Sequence, residues 1–480
     1  MSENFWGLIE QYRTLGFDPL RWVSGCSNEI DPRVLSDSIE RVKKAAVKIS
    51  PSWFDSYYYM DGKTPDLTRR IYSFDRPTVD KEVDIRRALA IMRIHARTSE
   101  DEQALTEAFQ NFLTGFHSKV SISMAAVVLT EHADGQFAVF DYIGIHRGDK
   151  VGYTPATSTV THITDVTRPP DAEIHSNIAM TSAIDTLNLL GCYNSSSFKL
   201  FPVYDAPSEE TLDRIRANLD SFTSRYNLAM EDYSSLKIGK LFYGCSGIAN
   251  TLKELPTGYE HMEEGMQIIL TKKFGSLVPL SLYMLAMMDQ GNISKYEQNG
   301  ISFNDITAAK DEALKSLSEP HFSLGKIISK YCPDFGSVFD KNMHIAAVHP
   351  VTTRGILALG DFARVANSHI QVAELPIKYE ELSKFATREF LVENATCSAN
   401  GCHMIVATQD VAQAVSEELQ KHNFDPVLIG QIAGRGRPAV TIDRDAGQYV
   451  ASKVKLAGLT AVAADSGPKG VADKKAAEGN

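Results

Sequence analysis

At 480 residues, with 43% hydrophobic and 23% charged residues, the chain is too long for one ordinary core and too apolar for general disorder, so two or three folded domains are expected. A net charge of −11 and a pI near 5.7 oppose nonspecific attraction to a phosphate backbone, which argues against a nucleic-acid partner. The most apolar stretch, Leu277 to Met288, runs about a dozen residues and contains Pro279 and Ser281, against the ~20 a bilayer span needs. With no basic and then apolar leader after Met1-Ser2-Glu3-Asn4, the expectation is a cytoplasmic protein without membrane attachment.

Residues 1–120 read as a mainly helical extension. Ser36 to Ile49 and Arg86 to Phe116 are helix candidates, and the aromatic cluster Trp53, Tyr57, Tyr58 and Tyr59 lies between them as core or interface. From 121 to 260 the pattern suits an α/β domain. Val120 to Thr130 and Gln136 to Ile145 flank the hairpin signal Asp134-Gly135, and Thr157 to Asp165 is a further strand. Ala172 to Leu190 follows as a helix with one apolar face (Ile174, Ile178, Thr181, Ile184, Leu187), stopped by Gly191. In the next helix Ser208 caps, Glu209 and Glu210 suit the positive end, and Leu212, Ile215, Leu219, Phe222 and Tyr226 form a core stripe.

Residues 261–450 read as a second α/β domain. Its predicted strands are Met266 to Thr271, His344 to Val348, His403 to Ala407, Val427 to Ile432 and Ala439 to Ile442. Its predicted helices are Leu277 to Met288, the polar stretch 301–335, Arg354 to Val365, and Val411 to His422 with Asp410 as cap. Gly434-Arg435-Gly436-Arg437 reads as an exposed turn, and residues 451–480, Ala-, Gly- and Lys-rich, as a mobile tail.

The six cysteines are too sparse for a disulfide framework. Cys397 and Cys402 with His403 offer the beginning of a zinc site, but no second ligand pair stands at zinc spacing, so ordinary thiols are expected. No Gly-x4-Gly-Lys-Ser/Thr loop is present.

Several ordered islands carry a resemblance. They are Gly25-Cys26-Ser27-Asn28-Glu29; Gly148-Asp149 with Thr164-Asp165-Val166-Thr167-Arg168-Pro169; and Asp171 with the helix bearing Asn177, Ala179, Ser182 and Asp185. Further along stand Gly265 to Gly275, which contains Leu270-Thr271-Lys272; Ala346 to Leu357; Thr396 to Gly401; and Ile429-Gly430-Gln431-Ile432. Together they resemble the selenophosphate synthetases (selenide, water dikinases) and their relatives in the aminoimidazole ribonucleotide synthetase superfamily. The pattern departs from the family at several places: in the helix the aspartate is displaced by one position and Ser182 stands where an asparagine belongs. Asn28 or Glu29 falls where a lysine belongs, Pro350 stands where an aspartate belongs, and Glu231-Asp232-Tyr233-Ser234-Ser235 replaces a Gly-Gly-x-Thr turn.

The resemblance implies an α+β chain with the two-domain aminoimidazole ribonucleotide synthetase-like fold, mixed sheets covered by helices. It also implies a homodimer, and transfer of phosphate from ATP to selenide or another small nucleophile. Asp149, Asp165, Asp171 and Asp185 would hold Mg2+ against the phosphates, Thr164 would lie at the nucleotide, and Cys26 would handle the nucleophile. Each aspartate also admits a plainer reading as a cap or solvated charge, and Cys26 as an idle thiol. The alternative to an enzyme is a degenerate family member that binds or regulates without turnover.

Overall fold

The computed structural model describes residues 2–17 and 19, the strand segments 56–57, 70–73, 126–131, 137–139, 142–147 and 153–161, and residues 165–451 apart from 233–238, 353 and 390. The chain starts with helix α1 (Ser2–Thr14). Strands β1 (Ser56–Tyr57), β2 (Arg70–Ser73), β3 (Ala126–Glu131) and β4 (Phe137–Val139) form an antiparallel sheet in that order. The hairpin expected around Asp134-Gly135 is present as β3–β4. Two of these strands arise within 1–120, so that stretch is not helical throughout; its helix candidates at 36–49 and 86–116 lie outside the described residues.

A second sheet has the order β5-β6-β9-β7-β8, from β5 (Tyr142–Arg147), β6 (Tyr153–Thr161), β7 (Lys199–Asp205), β8 (Ala229–Met230) and β9 (Phe242–Ile248). Helices α2 (Glu173–Leu189) and α3 (Glu209–Tyr226) belong to this unit. In α3 the Ser208 side chain accepts from the Thr211 amide, and Ile215, Leu219 and Phe222 are buried, as the periodicity requires. Helix α2 departs from its expected single apolar face: residues 175–181 and 183–189 are all buried. The reason is its position, since it packs against β6, β9 and α3 on one side and against two helices of the following unit, named below, on the other.

That following unit holds a six-stranded sheet of order β11-β13-β10-β14-β12-β15. Its strands are β10 (Gln267–Leu270), β11 (Ala347–Pro350), β12 (Ser368–Val372), β13 (His403–Ala407), β14 (Val427–Arg435) and β15 (Ala439–Ile442). Only β12–β15 is a parallel pair. Helices α4 (Val278–Met288), α5 (Gly291–Gln298), α6 (Phe303–Ser318), α7 (Phe322–Lys330), α8 (Leu357–Val365), α9 (Glu380–Arg388) and α10 (Gln409–Lys421) complete it. Side chains alternate across the sheet. Ile268, Leu270, Met404 and Val406 share a core with Leu359 and Phe362 of α8, whereas Ile269, Ile405 and Ala407 pack with Ile327, Val415 and Leu419 of α7 and α10. Asp410 lies in the first turn of α10 and Thr408 takes the cap position, a two-residue shift from the expected start. Helices α6 and α7 are the ones that close over α2.

Among the described residues no helix is long and apolar enough to cross a membrane. The molecule is α+β, with mixed and antiparallel sheets covered by helices, as the sequence implied.

Candidate functional site

The segment joining β6 to α2 is an acidic turn with two consecutive prolines, Pro169 and Pro170, which have no N–H to donate. Asp165 opens it. Its Oδ1 accepts from the Thr167 amide at 3.1 Å and from Thr167 Oγ1 at 2.5 Å, which fixes the carboxylate over the turn. Its Oδ2 is buried and has no hydrogen-bond partner, and Arg168 Nε stands 3.6 Å away on a side chain that is itself 56% exposed. Asp171, at the other end, receives Arg214 Nη1 at 2.7 Å.

Four successive carbonyls of this turn are each taken by a side chain from a different element. Tyr12 of α1 donates its hydroxyl to Arg168 O at 2.7 Å, and Tyr243 of β9 donates to Pro170 O at 2.7 Å. Asn218 of α3 donates to Asp171 O at 2.8 Å. His175 of α2 has Nε2 3.2 Å from Pro169 O and 3.0 Å from Tyr12 Oη. Because the Tyr12 proton goes to Arg168 O, the Nε2–H tautomer of His175 satisfies both contacts, and Nδ1 is left without a partner. Burial pushes His175 down to about 4, against the pull of Asp165, so it is neutral at pH 7. Burial likewise raises the Tyr12 and Tyr243 phenols, which keeps both as donors.

Asp185 occupies a different place. It lies ten residues beyond His175 on α2, about 15 Å along the helix axis, in the seam between α2 and the second unit. His403 Nε2 is 3.0 Å from its Oδ2, and His321 Nδ1 is 3.8 Å from its Oδ1, which has no hydrogen-bond partner. Burial alone would raise this carboxyl; His403, His321 and the Gly401 amide outweigh it and hold the group below the usual range. Lys272 closes the cluster, with Nζ donating to Ser316 Oγ at 2.8 Å and to Asn400 O at 3.2 Å, and lying 2.7 Å from His321 Nε2. Burial lowers Lys272 to about 8 and His321 to about 3. Asn400 extends the seam to Ser182 Oγ at 3.4 Å and Leu317 O at 2.8 Å.

The structure therefore brings Asp165 and Asp171 onto one turn and sets Asp185 apart. Cys26, Asp149 and Thr164 lie outside the described residues. Cys397 packs with Leu277 and Leu314, Cys402 donates to Lys272 O at 3.2 Å with its thiol pushed up to about 12, and His403 faces Asp185, so these three do not converge. Among the described residues no three His, Cys, Asp or Glu side chains are grouped to hold a metal ion. Where the family's Gly-Gly-x-Thr turn was expected to be missing, Glu231 accepts from Lys199 and Asp232 accepts from Tyr204 at 2.7 Å, with Arg216 at 3.5 Å. Sequence reasoning did not single out Tyr12, His175, Asn218 or Tyr243. The only local hint was the Pro169-Pro170 pair, whose carbonyls need donors from elsewhere.

No family model and no curated protein matches the chain. Solved structures do resemble it. A HypE-HypF complex chain matches at TM-score 0.40 and 15% identity, covering 60% of this chain and 86% of its own. The hydrogenase maturation protein HypE in complex with ATP matches at TM-score 0.42 and 13% identity, covering 63% of this chain and 84% of its own. Thiamine monophosphate kinase from Aquifex aeolicus matches at TM-score 0.42 and 12% identity, covering 61% of this chain and 88% of its own. At these values the similarity carries no argument about what this chain binds, and the chemistry rests on the residues themselves.

Proposed function

We propose that this chain is a diverged relative of the aminoimidazole ribonucleotide synthetase superfamily that binds ATP with magnesium at the Asp165–Asp171 turn and transfers phosphate to a small nucleophile. The observation that carries this reading is the buried Oδ2 of Asp165, which has no hydrogen-bond partner and only the mostly exposed Arg168 guanidinium 3.6 Å away. A carboxylate oxygen buried without a hydrogen bond is costly, and a divalent cation would compensate it more fully than that ion pair does. Magnesium keeps several waters and accepts phosphate oxygens, so one or two protein carboxylates per ion suffice. Asp165 and Asp171 fit that demand, with Asp149 and Thr164 as the neighbouring members of the same motif. Such an ion would neutralise charge on the phosphates. Selenide as acceptor, Cys26 as its handler and a homodimeric state belong to the same proposal.

A second reading, a binding or regulatory subunit without turnover, is favoured by one feature: Glu231 engages Lys199, and Asp232 engages Tyr204 and Arg216, which removes the cations Lys199 and Arg216 from any phosphate. The test is thermal unfolding with ATP, with magnesium, and with both. The transferase reading expects an upward shift only with both, loss of that shift in Asp165→Asn, and phosphate release when selenide is added. A shift without phosphate release selects the second reading; no magnesium-dependent shift ends the transferase reading.

A further inference from the structure

We infer that Tyr12 on the N-terminal helix, with His175, Asn218 and Tyr243, is a positioning residue that clamps the acidic turn and so sets the direction of Asp165 and Asp171. The ligand arm of this inference rests on the function proposed above; the mechanical arm does not. Pro169 and Pro170 leave the stretch with few amides of its own, and the other bonds to its backbone are Arg168 N to Asp165 O, Ala172 N to Pro169 O, His175 N to Ala172 O and Thr167 N to Asp165 Oδ1.

A turn of this kind at a domain surface is ordinarily satisfied by water. Here four consecutive carbonyls are held by α1, α2, β9 and α3, and Tyr12, His175 and Tyr243 are buried to within 2% of full enclosure. Holding carbonyls 168 to 171 fixes the peptide planes leading into Asp171, while Thr167 and Arg214 orient the two carboxylates on that backbone. Preorganisation of this sort is what a charged ligand site requires.

Tyr12 can be tested cleanly, because α1 is anchored independently of its hydroxyl. Phe5 and Ile9 are buried, and the Leu241 amide bonds to Leu15 O just past the helix. Tyr12→Phe therefore keeps the helix docked and removes the donor to Arg168 O, together with one of the two acceptors of His175 Nε2. Hydrogen–deuterium exchange of the full chain should speed at residues 165–172 by roughly fivefold, the ratio that corresponds to one hydrogen bond of about 1 kcal/mol. Asn218→Ala, on the partly exposed face of α3, should loosen the same amides from the other end and covers the case in which Tyr12→Phe fails to fold.

The magnesium-dependent ATP midpoint should weaken in both variants, by a similar factor, at nearly unchanged melting temperature. Exchange at 165–172 that stays at the wild-type rate in both variants overturns the clamp. So does faster exchange with an unmoved ATP midpoint, since the hydroxyl is then structural only. Absence of any ATP response in the wild type defeats the proposed function, and the exchange measurement then decides the clamp alone.

Discussion

The acidic turn and the seam around Asp185 both place a carboxylate oxygen in the interior without a hydrogen bond, yet they are built for opposite ends. In the seam the neighbours are buried or mostly so: His403 is fully buried, and His321 and Lys272, with depressed pKa values, compensate Asp185 from a largely enclosed position. At the turn the ion partner of Asp165 among the described residues is Arg168, which is more than half exposed. Charge there is open to compensation from outside. A closed cluster joins two units; under the function proposed above, the open one would take a cation.

The sharpest way to break this contrast is to neutralise each carboxylate in turn. Asp185→Asn should cost about 3–5 kcal/mol in urea unfolding, because removing one partner leaves the other buried groups uncompensated. Asp165→Asn should barely change unfolding, since the Thr167 contacts survive on an amide oxygen. It should instead abolish the ligand-induced stabilisation, about 2.7 kcal/mol at 100 times the dissociation constant. Equal stability losses in the two variants would erase the distinction.

A pH series sharpens it. His175 is held neutral at about 4 against 6.5 in the unfolded chain, so its contribution is complete above pH 6.5 and declines as pH falls from 6.5 towards 4. The expected loss is on the order of 1–3 kcal/mol, read as a falling melting temperature, and His175→Asn should flatten that part of the profile. Ser316→Ala, which deprives Lys272 of one acceptor, should have the smallest effect, about 1 kcal/mol.

How much of this was legible in the sequence depends on how local each cause is. Helix α3 could be read almost whole, because its cap, its acidic first turn and its buried stripe are encoded within twenty neighbouring positions. Strands β7 and β9 could not. Pro202 interrupts the strand pattern of Lys199–Asp205, and Gly244 and Gly247 dilute that of Phe242–Ile248, although both sit inside the second sheet, where pairing on either side overrides weak local preference. The motif islands assigned Asp165 to one segment and Asp171 with Asp185 to the next; that Asp165 and Asp171 share a turn while Asp185 lies in the seam could not be read from them, since helix periodicity carries no information on which end of α2 meets which unit. The clamp was invisible because its donors, at positions 12, 175, 218 and 243, come together only through tertiary packing.

Helix α1 rests on partners made long after it: the turn at Arg168 and His175, and the flank of α4 at 278–288. During synthesis it must therefore travel as an exposed apolar segment while about 270 further residues are added, roughly 15–50 s at ordinary elongation rates. Phe5, Ile9 and Tyr12 are the apolar side chains whose burial waits on that later chain.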